Sequence, residues 1–249
     1  MILELSRLQR FCAFHFGGLR KSIAQRLVTP QTKGCRYDGI TYPFSTDHMD
    51  GKRLVAIACG AIEKDEVYLA QKYVGLHDII VEFGCGLGIA AARVHSACSP
   101  QAHYCFEANP GVIDYANTLF ESNNLNIKLE NVGLGDGRDA VFYALDDYIL
   151  SSFTKPEDRH DYKSMTIPTR AVSDIIAQAG PTAIFCDIEG AEAQFLKPEE
   201  LLGVNKVIIE LHPEVYGVEK EQELISCFKQ AGFRVAELSG QTYCFIRNS

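Results

Sequence analysis

The sequence predicts a doubly wound α/β fold, in which helices cover both faces of a mostly parallel sheet. Two observations lead to this prediction. From residue 79 to the C-terminus, short apolar segments alternate with segments that carry apolar residues at helical spacing. The last two apolar segments are separated only by a short turn at Gly240, so the final strand is expected to run antiparallel to the others.

The chain is predicted to consist of an N-terminal extension, residues 1–53, and a sheet domain, residues 54–249. Apolar residues at helical spacing predict a helix over residues 1–28, broken or bent at Gly17 and Gly18. Residues 29–53 are rich in turn formers and are predicted to form a loop or a short hairpin. Residues 62–74 are predicted to form a helix with Glu63, Glu66 and Lys72 exposed.

The sheet domain follows as alternating strands and helices. Strands are predicted at residues 79–83, 102–106, 127–134, 182–188, 204–211, 233–238 and 242–247, with a further strand at 141–145. Helices are predicted at residues 89–97, 110–122, 171–179, 190–196 and 219–231, and an insertion loop at 151–165.

The charge of the chain is unevenly distributed. The net charge is −8, yet residues 1–37 sum to +6 and the remainder to −14. An acidic body is poorly suited to a phosphate backbone, so no nucleic-acid partner is predicted. The basic segment is either a helix face packed against the domain, which we favour, or a weak peripheral contact with an anionic membrane surface.

Three features predict a cytoplasmic protein. No segment approaches the ~20 apolar residues that span a bilayer. The N-terminus lacks the pattern of a secretory signal. The nine cysteines are odd in number and none form a Cys-x-x-Cys pair, which favours a reducing compartment over a disulfide framework or a zinc site.

A glycine-rich turn is the strongest functional signal. Gly84, Gly86 and Gly88 follow a predicted buried strand and precede a helix, where glycines let a ligand approach the backbone closely. Ile89 stands where a dinucleotide-binding loop has its third glycine. Glu82 suits the ammonium of a methionine moiety better than a pyrophosphate. The turn therefore favours S-adenosyl-L-methionine over NAD as cofactor.

An acid at the end of the second strand supports a nucleoside ligand. Glu107 lies 19 residues beyond Gly88, the spacing at which a carboxylate accepts both ribose hydroxyls of an adenosine. The alternative is that this acid only caps the next helix.

Three polar residues at strand ends are candidates for catalysis. Asp187, Glu189 and His212 are predicted at the carboxyl edge of the sheet, where ligands bind in this class of fold. Each is a candidate base for a hydroxyl acceptor, and Asp187 and His212 are alternatively helix caps. Glu192 is expected to be exposed or to support the site, and Glu210 to lie near the site or face a loop. No metal-binding spacing occurs, so no metal is predicted.

Five segments together resemble the FkbM-type branch of the class I S-adenosylmethionine-dependent methyltransferases over roughly residues 60–235. They are VEFGCGLG at 81–88, FEANP at 106–110, NVGLGD at 131–136, CDIEGAE at 186–192 and IIELHPE at 208–214. The resemblance implies a seven-stranded, Rossmann-like sheet whose last strand is antiparallel. It also implies cofactor contacts from Ala108, Asn109 and Val132. The family usually has Asp-x-Gly-Ala-Asn in the first segment, so the subfamily is not predicted.

The resemblance implies methylation of a hydroxyl on a small molecule, a sugar or a lipid-linked saccharide. An N-methyltransferase is disfavoured, because the strand before Asp187 lacks an Asn-Pro-Pro-Tyr-like ending. An NAD-dependent oxidoreductase and a non-catalytic binding module are the alternatives from other classes. The acceptor surface is predicted from loop residues Tyr37, Tyr42, Phe44, His48, Phe153, His160 and Tyr162.

Overall fold

The computed structural model describes residues 1–145, 151, 153 and 161–248. Its strands are β1 Ile2–Leu3, β2 Gly34–Tyr37, β3 Ile40–Pro43, β4 Ile79–Phe83, β5 Ala102–Glu107, β6 Ile127–Asn131, β7 Gly133–Leu134, β8 Ala140–Leu145, β9 Tyr162–Ile167, β10 Thr169–Arg170, β11 Ala183–Cys186, β12 Lys206–Glu210, β13 Phe233–Ser239 and β14 Thr242–Arg247. Its helices are α1 Arg7–His15, α2 Leu19–Leu27, α3 Gly51–Ala58, α4 Lys64–Tyr73, α5 Ile89–Cys98, α6 Pro110–Ser122, α7 Val172–Ala179, α8 Glu192–Phe195, α9 Pro213–Tyr216 and α10 Val218–Gln230.

A seven-stranded sheet forms the centre of the molecule, in the order β13-β14-β12-β11-β4-β5-β6. Strands β11, β12, β4, β5 and β6 pair in parallel, whereas β14 runs antiparallel to both β12 and β13. The predicted fold class is confirmed. The order reverses beside β4, so the carboxyl ends of β4 and β11 open a crevice at this edge, as expected for a doubly wound fold.

Alternate side chains of the strands enter different cores. On β11, Ala183 and Phe185 pack with residues of α4 and α5, while Ile184 and Cys186 pack with residues of α7 and α10. This alternation follows from the period of two along a strand, and it gives both sheet faces a buried apolar layer. Such two-sided burial explains why these strands are continuously apolar in sequence.

The N-terminal segment differs from its prediction. Ile2 belongs to β1, which pairs in parallel with β2, and the remaining segment forms two helices separated at residues 16–18. The break at the two glycines is confirmed. The side chains of Leu8, Phe11 and Phe14 on α1 are exposed.

The extension shares a core with the sheet domain. Leu3, Leu5 and Tyr42 belong to one apolar cluster with Tyr115 and Phe120 of α6. The Tyr115 hydroxyl donates a hydrogen bond of 2.9 Å to the Pro43 carbonyl. Helix α3 runs through the predicted boundary between residues 53 and 54.

Several local predictions were wrong. The predicted strand over 127–134 is divided into β6 and β7, and β7 pairs with β10 outside the central sheet. Residues 162–165, predicted as the end of an insertion loop, belong to β9, which pairs antiparallel with β8. Helix α9 was not predicted. Glu66 is buried, because its carboxylate accepts a 2.8 Å hydrogen bond from the Thr242 hydroxyl of β14.

Candidate active site

The glycine turn lies at the carboxyl end of β4, against the end of β11. Gly84 has φ +80°, and a Cβ atom there would lie 1.8 Å from the Asp187 carbonyl oxygen. Its N–H donates to the Phe106 carbonyl at 2.9 Å. Glycine is therefore required by both conformation and space, and the turn brings the ends of three neighbouring strands together.

Glu107 is held at the end of β5 by backbone groups. One carboxylate oxygen accepts the N–H of Gly86 at 2.8 Å, and the other accepts the N–H of Asn109 at 2.7 Å. Burial raises the pKa of Glu107, and these two N–H donors partly oppose the increase. A carboxylate has about four acceptor positions, so two remain for a ligand with a pair of hydroxyls.

A cavity of about 430 Å³ opens between these strand ends. This volume lies in the range of roughly 300–1,000 Å³ that is typical of small-molecule sites. Eight of the eleven predicted site residues line it: Gly84, Gly86, Glu107, Ala108, Asn109, Val132, Asp187 and Glu189. Residues that are scattered over the sequence are therefore brought together on one concave surface, and their roles stay predictions.

Three predicted residues do not line this cavity. The Glu82 carboxylate lies 2.9 Å from Nε2 of His103, in a buried pair within the sheet. Gly88 precedes α5 and contacts Phe120 of α6. His212 lies behind Asp187 and Glu189. Glu82 lines a small adjoining cavity together with Gly84 and Asp187, and its contact with the cofactor stays a prediction.

His212 is oriented by a buried carboxylate. Its Nδ1 lies 3.1 Å from Glu192 Oε1, and its Nε2 lies 3.7 Å from Asp187 Oδ1 and 3.6 Å from Glu189 Oε2. Burial alone would lower the pKa of His212, but the hydrogen bond to Glu192 and the surrounding carboxylates raise it above its usual value.

Glu192 is fully buried, and it also organises the turn before it. The same Oε1 atom accepts the N–H groups of Ile188 and Gly190, each at 3.1 Å. Between them, Glu189 adopts a left-handed conformation with φ +54°. Such strain in a residue other than glycine is common at functional sites, and here it directs Glu189 towards the cavity.

Carboxylates crowd the same end of the cavity. Burial, followed by the charges of Glu66 and Glu210, raises the pKa of Glu63 to about 8. Burial and Glu66 raise the pKa of Glu210 to about 7. Burial and the charge of Glu63 raise the pKa of Asp187 well above its usual value. Both Glu63 and Glu210 line the cavity, although Glu63 was predicted to be exposed.

The arrangement suits a cationic ligand. Bringing several carboxylates together is unfavourable unless they are protonated or face a positive charge. Asp187, Glu210 and His212 also place one donor atom each within 4.8 Å of one another, a grouping compatible with a metal ion. The same donors serve proton transfer without an ion.

Aromatic residues form the opposite wall. Phe153 packs against Phe142 with ring centroids 5.3 Å apart and against Phe195 at 6.3 Å, and all three line the cavity. Of the predicted acceptor residues, Phe153 lines the cavity, while Tyr42 is buried in the core of the extension. His160 lies outside the described residues.

Comparison with known proteins identifies the family. The model of the methyltransferase FkbM domain matches residues 37–235. The chain belongs to the FkbM methyltransferase family. It is therefore a methyltransferase that uses S-adenosyl-L-methionine, and the family assignment favours methyl transfer over the oxidoreductase and the non-catalytic module.

Several solved structures are similar to this methyltransferase at low sequence identity. A methyltransferase from Pyrococcus furiosus has 14% identity and a TM-score of 0.48, covering 96% of each chain. The precorrin-6y C5,15-methyltransferase from Geobacter metallireducens has 8% identity and a TM-score of 0.45, covering 72% of this chain and 85% of that one. The protein TYW2 from M. jannaschii in complex with AdoMet has 13% identity and a TM-score of 0.44, covering 88% of this chain and 86% of that one. No curated protein matches the chain.

No helix among the described residues of this methyltransferase is both long and apolar enough to cross a membrane.

Proposed function

We propose that the protein transfers a methyl group from S-adenosyl-L-methionine to a hydroxyl of a small molecule, a sugar or a lipid-linked saccharide. The observation that carries this proposal is the group formed by Asp187, Glu189 and His212 at the cavity end that also holds the glycine turn. A hydroxyl acceptor needs a proton acceptor beside the methyl donor, and this group supplies one.

The cofactor would occupy the cavity along the ends of β4, β5 and β6. Glu107 would accept the ribose hydroxyls, because both of its oxygens retain acceptor capacity beside the glycine turn. Ala108, Asn109 and Val132 line the part of the cavity beyond it and would contact the adenine side.

The methionine ammonium would bind Glu63. The sequence suggested Glu82 for this role, but the carboxylate of Glu82 is engaged by His103. Glu63 lines the cavity and carries a pKa raised by burial and by neighbouring carboxylates. An ammonium group would relieve that repulsion and restore the ionised carboxylate.

The reaction would be an in-line displacement. S-adenosyl-L-methionine would supply the methyl group, with S-adenosylhomocysteine as the leaving thioether, while the residues of this chain would hold the acceptor oxygen and accept its proton. The hydroxyl proton passes to Glu189, whose side chain is 37% exposed, and His212 lies 3.6 Å behind it to stabilise the transferred proton. Holding the oxygen close and collinear contributes most of the remaining rate enhancement.

Isothermal titration tests the cofactor, and a transfer assay tests the acceptor class. Wild-type protein should bind S-adenosylmethionine and S-adenosylhomocysteine but not NAD. The variant Glu107→Gln should bind both sulfur ligands roughly tenfold to a hundredfold more weakly, because a charge-assisted hydrogen bond contributes about 1.5–3 kcal/mol. Glu121→Gln, at an exposed position of α6, is the matched control.

A screen with methyl-labelled cofactor should then give label in hydroxylated acceptors and none in matched amines. Transfer to nitrogen acceptors alone, with cofactor binding intact, would overturn the proposal of O-methylation.

We further propose that the protein acts in the cytoplasm. All nine cysteines are free thiols, and seven are buried, as expected in a reducing compartment. Alkylation of the protein taken directly from cells, without reductant, should modify Cys12 and Cys227 as thiols. Disulfide-linked forms of these residues would contradict this proposal.

A further inference from the structure

The first two helices present apolar side chains to solvent. We call Leu8, Phe11, Phe14, Phe16 and Leu19 the N-terminal apolar face, and their exposed fractions range from 39% to 71%. With Met1 and Ile2, they account for seven of the fifteen exposed large hydrophobic residues in the described part of the chain. Such a concentration in nineteen residues marks an interaction surface, since single exposed apolar residues are otherwise scattered.

The segment that carries this face is anchored to the protein. β1 pairs with β2, and the amino group of Met1 donates a hydrogen bond of 2.8 Å to the Gln31 carbonyl. Ser6 and Gln9 form a capping box at the start of α1. Leu3 and Leu5 are buried in the shared core. The outward apolar face therefore belongs to a folded segment that is fixed to the protein through β1 and the buried side chains of Leu3 and Leu5.

Helical geometry places basic groups among the exposed apolar ones. Leu8 and Phe11 are three residues apart on α1, and Phe14 follows three residues later, so they share one side of the helix. Arg7 lies one turn before Phe11 on that side, and Arg10 flanks it. Arg7 and Arg10 are both exposed, as are Arg26, Lys33 and Arg36.

The charge of this segment opposes that of the rest of the protein. Residues 1–37 contain a single acid, Glu4, and sum to +6, whereas the remainder sums to −14. An anionic surface would attract this segment and repel the body, which fixes one orientation. A neutral apolar partner would not be attracted or oriented by this separation of charge.

We propose that the N-terminal apolar face docks the protein on an anionic phospholipid bilayer. Phenylalanine and leucine side chains would enter the boundary between headgroups and acyl chains, and the arginines would contact lipid phosphates. Each basic residue near such a surface strengthens binding by roughly fivefold. The contact is peripheral and is independent of the proposed methyl transfer, because neither helix contributes to the cavity.

Vesicle flotation of the full-length protein tests this proposal. The probes are vesicles of phosphatidylcholine alone and of phosphatidylcholine mixed equally with phosphatidylglycerol. The variant Phe11→Ser with Phe14→Ser removes the centre of the face, and Leu76→Ser with Leu202→Ser removes two comparably exposed apolar residues elsewhere. Both pairs are exposed, so unfolding temperatures should match that of the wild type.

The wild type should bind the anionic vesicles at least tenfold more tightly than the neutral ones, and salt should weaken binding. The affinity of the phenylalanine variant for anionic vesicles should be at least tenfold lower than that of the wild type, while the leucine control should bind like the wild type. Equal binding by the phenylalanine variant, or no flotation of the wild type, would overturn the proposal. So would light scattering that shows a dimer of the wild type and a monomer of the phenylalanine variant, since the face would then join two copies.

Discussion

The side chain of His212 and the carboxylate of Glu192 form a buried pair, with 3.1 Å between Nδ1 and Oε1. Because Glu192 Oε1 also accepts two backbone N–H groups, it acts as an acceptor and Nδ1 carries the hydrogen. In the neutral ring, Nε2 is then the basic nitrogen, and it faces Asp187 and Glu189. A buried carboxylate that does not line the cavity therefore sets the proton position of His212, which in turn lies against the cavity-lining carboxylates of Asp187 and Glu189.

Replacing Glu192 by Gln should lower the pKa of His212, because the largest stabilising contacts of its charged form are with Glu192. Methyl transfer at neutral pH should fall roughly tenfold to a hundredfold, because His212 would stabilise the proton transferred to Glu189 less well, and this loss is a part of the ~10²–10⁴ that acid–base catalysis supplies. The pKa is measured by NMR titration of the imidazole. Glu214→Gln, an exposed acid two residues from His212, is the control, and an unchanged imidazole pKa in Glu192→Gln would contradict the assignment.

The proposed role of Glu63 predicts a selective loss of affinity. Glu63→Gln should weaken S-adenosylmethionine binding about tenfold to a hundredfold, as expected for a lost charge-assisted hydrogen bond. It should leave 5′-methylthioadenosine unaffected, because that ligand lacks the amino-acid moiety. Isothermal titration calorimetry measures the affinity for each of the two ligands. Equal weakening for both ligands would show that Glu63 supports the shape of the cavity and not the ammonium.

Cofactor affinity should increase with pH. Glu63 and Glu210, with pKa values raised to about 8 and about 7, hold protons in the empty site near neutral pH. A cationic ligand prefers the ionised carboxylates, so binding should strengthen between about pH 6 and about pH 9 and release protons. Titrations in buffers of different ionisation enthalpy count those protons. The double variant Glu63→Gln with Glu210→Gln should flatten the dependence, and a wild-type affinity that declines over this range would refute the explanation.

The contact between the glycine turn and β11 predicts a large effect of one methyl group. Gly84→Ala should destabilise the fold by about 2 kcal/mol or more, since it combines a left-handed backbone with a clash against the Asp187 carbonyl. Gly203 has a similar φ of +82° but open space at its Cβ position. Gly203→Ala therefore isolates the backbone contribution, and denaturant unfolding compares the two. If both variants lost the same free energy of unfolding, the clash between the added methyl group and the Asp187 carbonyl would be relieved at little cost.

Much of the site could be predicted because its signals are local. The glycines, Glu107 and Asp187 each follow an apolar strand, and parallel strands bring their carboxyl ends to one edge. Glu63 and Glu66 were misjudged because the surface pattern of a helix does not show which acids face another part of the protein. Glu66 contacts Thr242 of β14, and Glu63 lines the cavity. Glu192 gave only a weak signal, since its burial depends on His212, twenty residues away.

The N-terminal segment shows what a helical pattern leaves undetermined. A helical pattern predicts which side chains share a face, but it does not say what covers that face. The sequence therefore predicted a helix here, but it did not predict that Leu3 and Leu5 enter the shared core while the side chain of Phe11 is exposed.

The acidic end of the cavity has a consequence for turnover. In the proposed binding mode, the donor brings a sulfonium and an ammonium close to Glu63, Asp187, Glu189 and Glu210, whereas the product retains only the ammonium once the transferred proton has left Glu189. The carboxylates that attract the donor therefore hold the spent cofactor less firmly. We expect such a site to favour exchange of product for fresh donor, and so to resist inhibition by S-adenosylhomocysteine as it accumulates.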